Sequence, residues 1–121
     1  MAQTQVSLGF ASGTNVWIET TLGATVESIK ASAGTIYLAE IDNTANAAKS
    51  YLKLYDTAGT VTVGTTAPDE ILQVPASVKI DVFVVGGKAF TAGLQAACLT
   101  TGGTAGTTAP TSAVPVRIVY S

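Results

Sequence analysis

The chain has 121 residues; 12% are charged, six basic against eight acidic, with one cysteine and no histidine. That length suits one domain with one core. The missing histidine removes the commonest general base and transition-metal ligand. The lone Cys98 removes a disulfide framework or cysteine zinc site within one chain, and a net charge of −2 has the wrong sign for a nucleic-acid binder.

Ordinary soluble domains are about a quarter charged. Here the coating is instead 19 threonines, 19 alanines and 12 glycines. No apolar run approaches the roughly 18 residues of a spanning helix, so no membrane partner is expected. The N-terminus lacks a basic segment followed by an apolar one, so synthesis and retention in a cytoplasm are expected.

In chain order, residues 1–14 read as an N-terminal arm. Its apolar residues Val6, Leu8 and Phe10 are spaced two apart among small ones. Residues 15–121 read as one domain. Scarce helix formers and abundant threonine, valine, isoleucine and tyrosine favour strands throughout. The first strands are predicted over Asn15–Leu22, Thr25–Ala31 and Thr35–Asp42, separated by Gly23-Ala24 and Ala33-Gly34. Lys49–Tyr55 follows, with Leu52 and Leu54 opposing Tyr51, Lys53 and Tyr55; bulk on both sides predicts cover on both. Ile71–Val74 comes next, after a turn at Pro68-Asp69. In Ser77–Val85, Val78, Ile80, Val82 and Val84 share one face and Lys79, Asp81, Phe83 and Val85 the other. Gly86-Gly87 is predicted as a turn before a short strand at Ala89–Phe90. Leu94–Thr100 and Val114–Tyr120 complete the set, Pro115 marking an edge or a strand entry. Between these last two, Thr100–Ala113 carries no charge and no large side chain; it reads as a long flexible or extended loop. Eight or nine short strands at about ten-residue spacing predict a single antiparallel β-sandwich, jelly-roll-like, with a small closed barrel as the alternative.

The chemistry-bearing residues are few. Asp69 and Glu70 are adjacent acids in a turn, where solvation is the default. Cys98 lies in an alternating apolar strand and reads as a buried small hydrophobe. Asp42, Asn43, Asn46 and Asp56 carry oxygens that calcium would accept, but their spacing fits no calcium loop, and turn capping explains them. No catalytic residue, cofactor, metal or small-molecule substrate is expected. Trp17 and the tyrosines would suit sugar stacking, although most such rings are core. Phe83 and Val85 share a face with charges, and Val6, Leu8 and Phe10 sit in the arm; together with Trp17 they are the candidate protein-interface residues.

The middle of the chain carries a series of short motifs. They run Tyr37–Asp42, Asn43–Asn46, Tyr51–Asp56, Gly64–Pro68, Ile71–Pro75 and Gly86–Leu94. The series resembles small structural proteins of tailed bacteriophages over about Tyr37 to Leu99. That resemblance implies a non-enzymatic virion protein with a β-sandwich fold, most simply a capsid decoration (cement) protein on the capsid exterior. It would form a homotrimer and bridge subunits of the major capsid protein. A head-fibre, tail-tube or tail-associated module, with or without glycan binding, is the alternative.

Overall fold

The computed structural model describes residues 13–121; of the arm predicted over 1–14, only Gly13 and Thr14 fall among them. The described residues form eight strands and no helix: β1 Asn15–Leu22, β2 Glu27–Lys30, β3 Gly34–Asp42, β4 Ser50–Tyr55, β5 Glu70–Val74, β6 Lys79–Phe90, β7 Leu94–Leu99 and β8 Val114–Tyr120. They build two four-stranded sheets, ordered β1-β8-β3-β6 (sheet A) and β2-β7-β4-β5 (sheet B).

All pairings are antiparallel. β1 pairs with β8, β2 with β7, β3 with β6 and β4 with β5, as in a long hairpin wrapped into a sandwich, a jelly-roll-like connectivity. Two separate sheets replace the closed-barrel alternative. The core lies between them. Ile36, Ala39, Ile41, Val116 and Ile118 of sheet A face Ile29, Leu52, Leu54, Ala96 and Cys98 of sheet B. Alternation explains most of this selection, because residues two apart share a face and only one face of each sheet meets the other; on β3 the register shift between Ile36 and Leu38 moves the inward set from Ile36 to Ala39 and Ile41.

Pro115 is the second residue of β8, which lies between β1 and β3. It marks a strand entry, where the missing N–H costs the ladder least. Gly86 and Gly87 do not end a strand; β6 runs on through both. Ile36 pairs with Lys88 and Leu38 with Phe83, so Val84–Gly87 forms a bulge opposite Tyr37 alone. Both glycines take left-handed φ, 79° and 81°. A Cβ on Gly87 would lie 2.4 Å from Thr35 Cγ2 and 3.0 Å from the Tyr37 ring. Glycine pairs mark bulges as readily as turns, because both need φ above zero.

The loop 100–113 is irregular but tied down. It lies over the outer face of β4, in the middle of sheet B. Thr100 N–H donates to Thr108 O (3.0 Å), and the Tyr51 ring lies against Gly102. Lys53, on that same face of β4, is fully buried, and its Nζ donates to Ala105 O at 3.4 Å. Burial drives the Lys53 pKa down, and it drives the neighbouring Tyr55 pKa up. The Tyr55 hydroxyl is buried without a hydrogen-bond acceptor or donor.

One buried polar cluster joins three loops. Asn43 Nδ2 donates to Ala48 O (3.0 Å) and Pro75 O (2.9 Å). Its Oδ1 accepts from Asn46 Nδ2 (3.0 Å) and Ser50 Oγ (2.8 Å). Asn46 in turn holds Ser112 through Nδ2 to Ser112 O (2.9 Å) and Ser112 N–H to Oδ1 (2.8 Å). The β3–β4 loop, the β5–β6 turn and the end of the 100–113 loop therefore share one knot.

Two predictions follow from these burials. Asn43→Ala leaves the Asn46 amide, the Ser50 hydroxyl and two carbonyls short of a hydrogen bond, and is expected to cost about 2–4 kcal/mol. A urea midpoint that falls with an unchanged slope is the expected result; an unchanged midpoint contradicts it. For Lys53, a folded-state pKa below the unfolded value of about 10.4 means the unfolded chain binds more protons between the two values. Stability therefore rises with pH across that window, and the penalty of the buried charge is complete below it. Lys53→Met should raise the unfolding free energy from urea titration at pH 7 by about 1 kcal/mol and flatten its rise toward pH 10.

Candidate functional site

The two sheets differ on their outer faces. Loops cover the central strands of sheet B, β4 and β7. On sheet A, register lines up the outward residues into rows that cross the strands. One row reads Val16 (β1), Val119 (β8), Leu38 (β3) and Phe83 (β6). Four strands at about 4.8 Å spacing make this row roughly 14 Å wide. Its ends are open: Val16 is 49% exposed and Phe83 52%. Val119, inside the row, is only 4% exposed yet lies outside the inter-sheet core cluster. Ile18, two residues along β1 from Val16, is 64% exposed, and Val85, in the β6 bulge beyond Phe83, is 89% exposed.

The bulge is held from below. The Tyr37 ring lies over Gly87, and the Tyr37 hydroxyl sits 3.3 Å from Ser121 Oγ. The next row reads Ile18, Arg117, Glu40 and Asp81. In it Glu40 binds two cations, Arg117 Nη1 at 2.9 Å and Lys79 Nζ at 3.3 Å. These pairs are partly solvated and contribute little stability. Their effect is to neutralise the ground beside the apolar row.

Of the six candidate interface residues, Phe83 and Val85 occupy this surface. Trp17 does not. It belongs to the inward row Trp17, Ile118, Ala39 and Val82 and packs half-buried against the core. Its place outside is taken by its neighbours Val16 and Ile18, which the sequence reading passed over. The alternation of β1 holds the signal: Val16, Ile18 and Thr20 share a face opposite Trp17. Val6, Leu8 and Phe10 lie outside the described residues.

A second apolar feature opens where the sandwich edges β5 and β6 meet. A cleft of about 220 Å³ is lined by Ile36, Ala39, Leu54, Leu72, Val82 and Val84, with Glu70 and Lys88 at its lip. Those two form an exposed ion pair at 3.7 Å. Leu72, Ile80 and Val82 face the core here and remain only partly buried.

The chemistry-bearing residues are engaged within the fold. Asp42 accepts from the hydroxyl and N–H of Thr44, which lowers its pKa. Asp56 receives the N–H groups of Ala92, Thr91 and Gly93, and its pKa falls for that reason. This ties the end of β4 to the β6–β7 turn. Asp69 Oδ2 accepts the Asp56 N–H at 2.7 Å. Cys98 is fully buried in the core, and burial pushes its thiol up to about 12. Among the described residues no group of three or more acids and cysteines is placed to hold a metal ion.

No family model, no curated protein and no solved structure matches this chain.

Proposed function

We propose that the chain is a non-enzymatic structural protein that seats the outer face of sheet A on neighbouring protein subunits, and that it serves as a capsid decoration protein on the exterior of a virion. The observation that carries the packing role is the apolar surface formed by Val16, Ile18, Leu38, Phe83 and Val85 across one sheet. An apolar patch with a polar margin favours a protein surface over water. Few charges need desolvation there, because Glu40 is already bound by two cations. The assignment to a virion rests on the motif series between Tyr37 and Leu99.

The mechanism is mechanical. A head filled with nucleic acid presses outward, and a protein that spans a junction between major capsid subunits adds contact area where the shell is weakest. Trimers at three-fold positions would apply such contacts symmetrically, and many modest contacts made together hold strongly. A head-fibre or tail-tube position uses the same surface. The glycan alternative is less well supported, because Trp17 packs on the core and offers only part of its ring.

Binding to purified heads tests the reading. The double variant Phe83→Glu, Val85→Glu changes exposed residues and should keep its unfolding free energy within about 0.5 kcal/mol. Its saturating occupancy on the heads is expected to fall at least tenfold. Removal of residues 2–14 should also lower occupancy while the domain stays folded. Trp17→Ala should do the reverse, with an unfolding free energy lower by about 2 kcal/mol and occupancy that recovers at low temperature. Undiminished occupancy of the double variant would overturn the proposal, and saturable binding to a defined sugar would favour the glycan reading.

A further inference from the structure

We infer that the outer edge of β1 pairs with the same edge of a second copy of this chain, antiparallel and about a two-fold axis at Trp17, so that two four-stranded sheets join into one. A sheet edge presents unpaired N–H and C=O groups, and proteins blunt such edges with bulges, lysines or short length. The sandwich has four edges, β1 and β6 on sheet A and β2 and β5 on sheet B. β6 is bulged at Val84–Gly87 and carries Lys79 and Lys88. β2 has four residues with a register shift after Ser28, and holds Glu27 and Lys30. β5 has five residues, its one exposed residue is Gln73, and its Glu70 reaches across to Lys88.

β1 is built differently. From Asn15 to Glu19 it pairs with β8 residue for residue, and its irregularity comes only after Glu19. This regular segment holds no lysine, arginine or proline. Its outward residues Val16 and Ile18 are largely exposed. The Glu19 carboxylate accepts the Thr21 N–H at 3.0 Å, so the edge closes on itself where the irregularity begins. Among the described residues no strand lies on the outer side of Asn15–Glu19.

The segment's own sequence points to its occupant. Antiparallel pairing sets residues of the same face opposite each other. When Asn15–Glu19 overlaps its counterpart fully, Trp17 meets Trp17, Val16 meets Ile18 and Asn15 meets Glu19. Val16 and Ile18 then cover each other's flanks on the outer face. The half-buried Trp17 ring meets its twin on the inner face, and aromatic pairs gain stability beyond the area they bury. Glu19, the segment's one charge, faces an amide; a carboxylate opposite it would repel. A slide by two residues shortens the overlap and draws in Thr14 or Thr20. Main-chain bonds supply the affinity of such strand addition, and the facing side chains supply its register. The contact is isologous, so it closes at two copies and does not run on into a fibre.

This inference goes beyond the proposed function and does not rest on it. Pairing uses main-chain groups at the side of β1, so the outward faces of both copies stay open, side by side. On a shell it would link copies seated at adjacent three-fold positions. Without a shell it makes the isolated protein a dimer.

Light scattering of the full chain, with no heads present, tests this. A mass of two chains is expected. The double variant Val16→Lys, Ile18→Lys sets lysine opposite lysine and should halve the mass to that of one chain. The double variant Val16→Lys, Ile18→Glu sets lysine opposite glutamate and should keep two. Both change exposed residues, and an unchanged circular dichroism spectrum shows that each is folded. For the register, Val16→Cys and Ile18→Cys are made separately, mixed and oxidised, while the buried Cys98 stays silent. The mixed disulfide should exceed that of either variant alone by about tenfold, because only opposed residues bring their Cβ atoms within bridging distance. A native mass of one chain or of three would overturn the inference, as would equal masses for the two charge variants or no excess of the mixed disulfide. A native mass of one chain that doubles on removal of residues 2–12 would overturn it in favour of the chain's own N-terminal segment at this edge.

Discussion

The knot around Asn43 is the constraint on which the rest of the architecture depends. Asn43 is fully buried, and every polar atom of its side chain is hydrogen-bonded. Its backbone N–H also binds Val78 O at the start of β6. Two of its partners lie at Ala48 and Pro75, far apart in sequence, and through Asn46 it reaches Ser112 just before β8. A sandwich made by wrapping one long hairpin has crossovers at its ends, where backbone groups lack ladder partners. Asparagine carries two donors and an acceptor oxygen on a short stem, so one residue can satisfy several such groups at once. A half-satisfied cluster at this depth would be worse than an apolar one, and this cluster is complete.

The knot also sets the difference between the two outer faces. By pinning Ser112, it holds the far end of the 100–113 loop, and that loop lies over β4. The middle of sheet B is thereby covered, at the expense of burying the Lys53 amine with a single long hydrogen bond and the Tyr55 hydroxyl with none. Sheet A receives no such cover among the described residues. Its apolar outward row is left at the surface, and the packing role argued above rests on that asymmetry rather than on any single side chain.

Much of this architecture was legible in the residues. β1 and β8 run over Asn15–Leu22 and Val114–Tyr120, as alternation and turn residues indicate. The cover on both faces of β4 was visible in its two-sided bulk. What could not be read has physical causes. Asn43 looks like a turn residue because the preference for turns and the capacity to bury a full hydrogen-bond set reside in the same amide. That β4 is covered on Lys53's side is foreseeable, but not what covers it, because the Lys53 amine meets a loop about fifty residues away. Gly86-Gly87 looks like a turn because positive φ is common to turns and bulges, and only the register with β3 distinguishes them. Trp17 could face either way, since a β1 with apolar residues on both faces does not declare its inner side. Its interior position, and the exposure of Val16 and Ile18, follow from the pairing with β8.

The β6 bulge illustrates how one local irregularity serves two ends. Edge strands invite pairing with other chains, and proteins blunt them with bulges, charge and short length. β6 carries a bulge of Val84–Gly87 with Lys79 and Lys88 on its flanks, and β5, the facing edge, has five residues. Open-ended growth along either edge is therefore disfavoured. The same bulge carries Val85 out to the surface beside Phe83 and leaves Val84 on the wall of the cleft. It can do so only because Gly87 yields the space that Thr35 and the Tyr37 ring occupy.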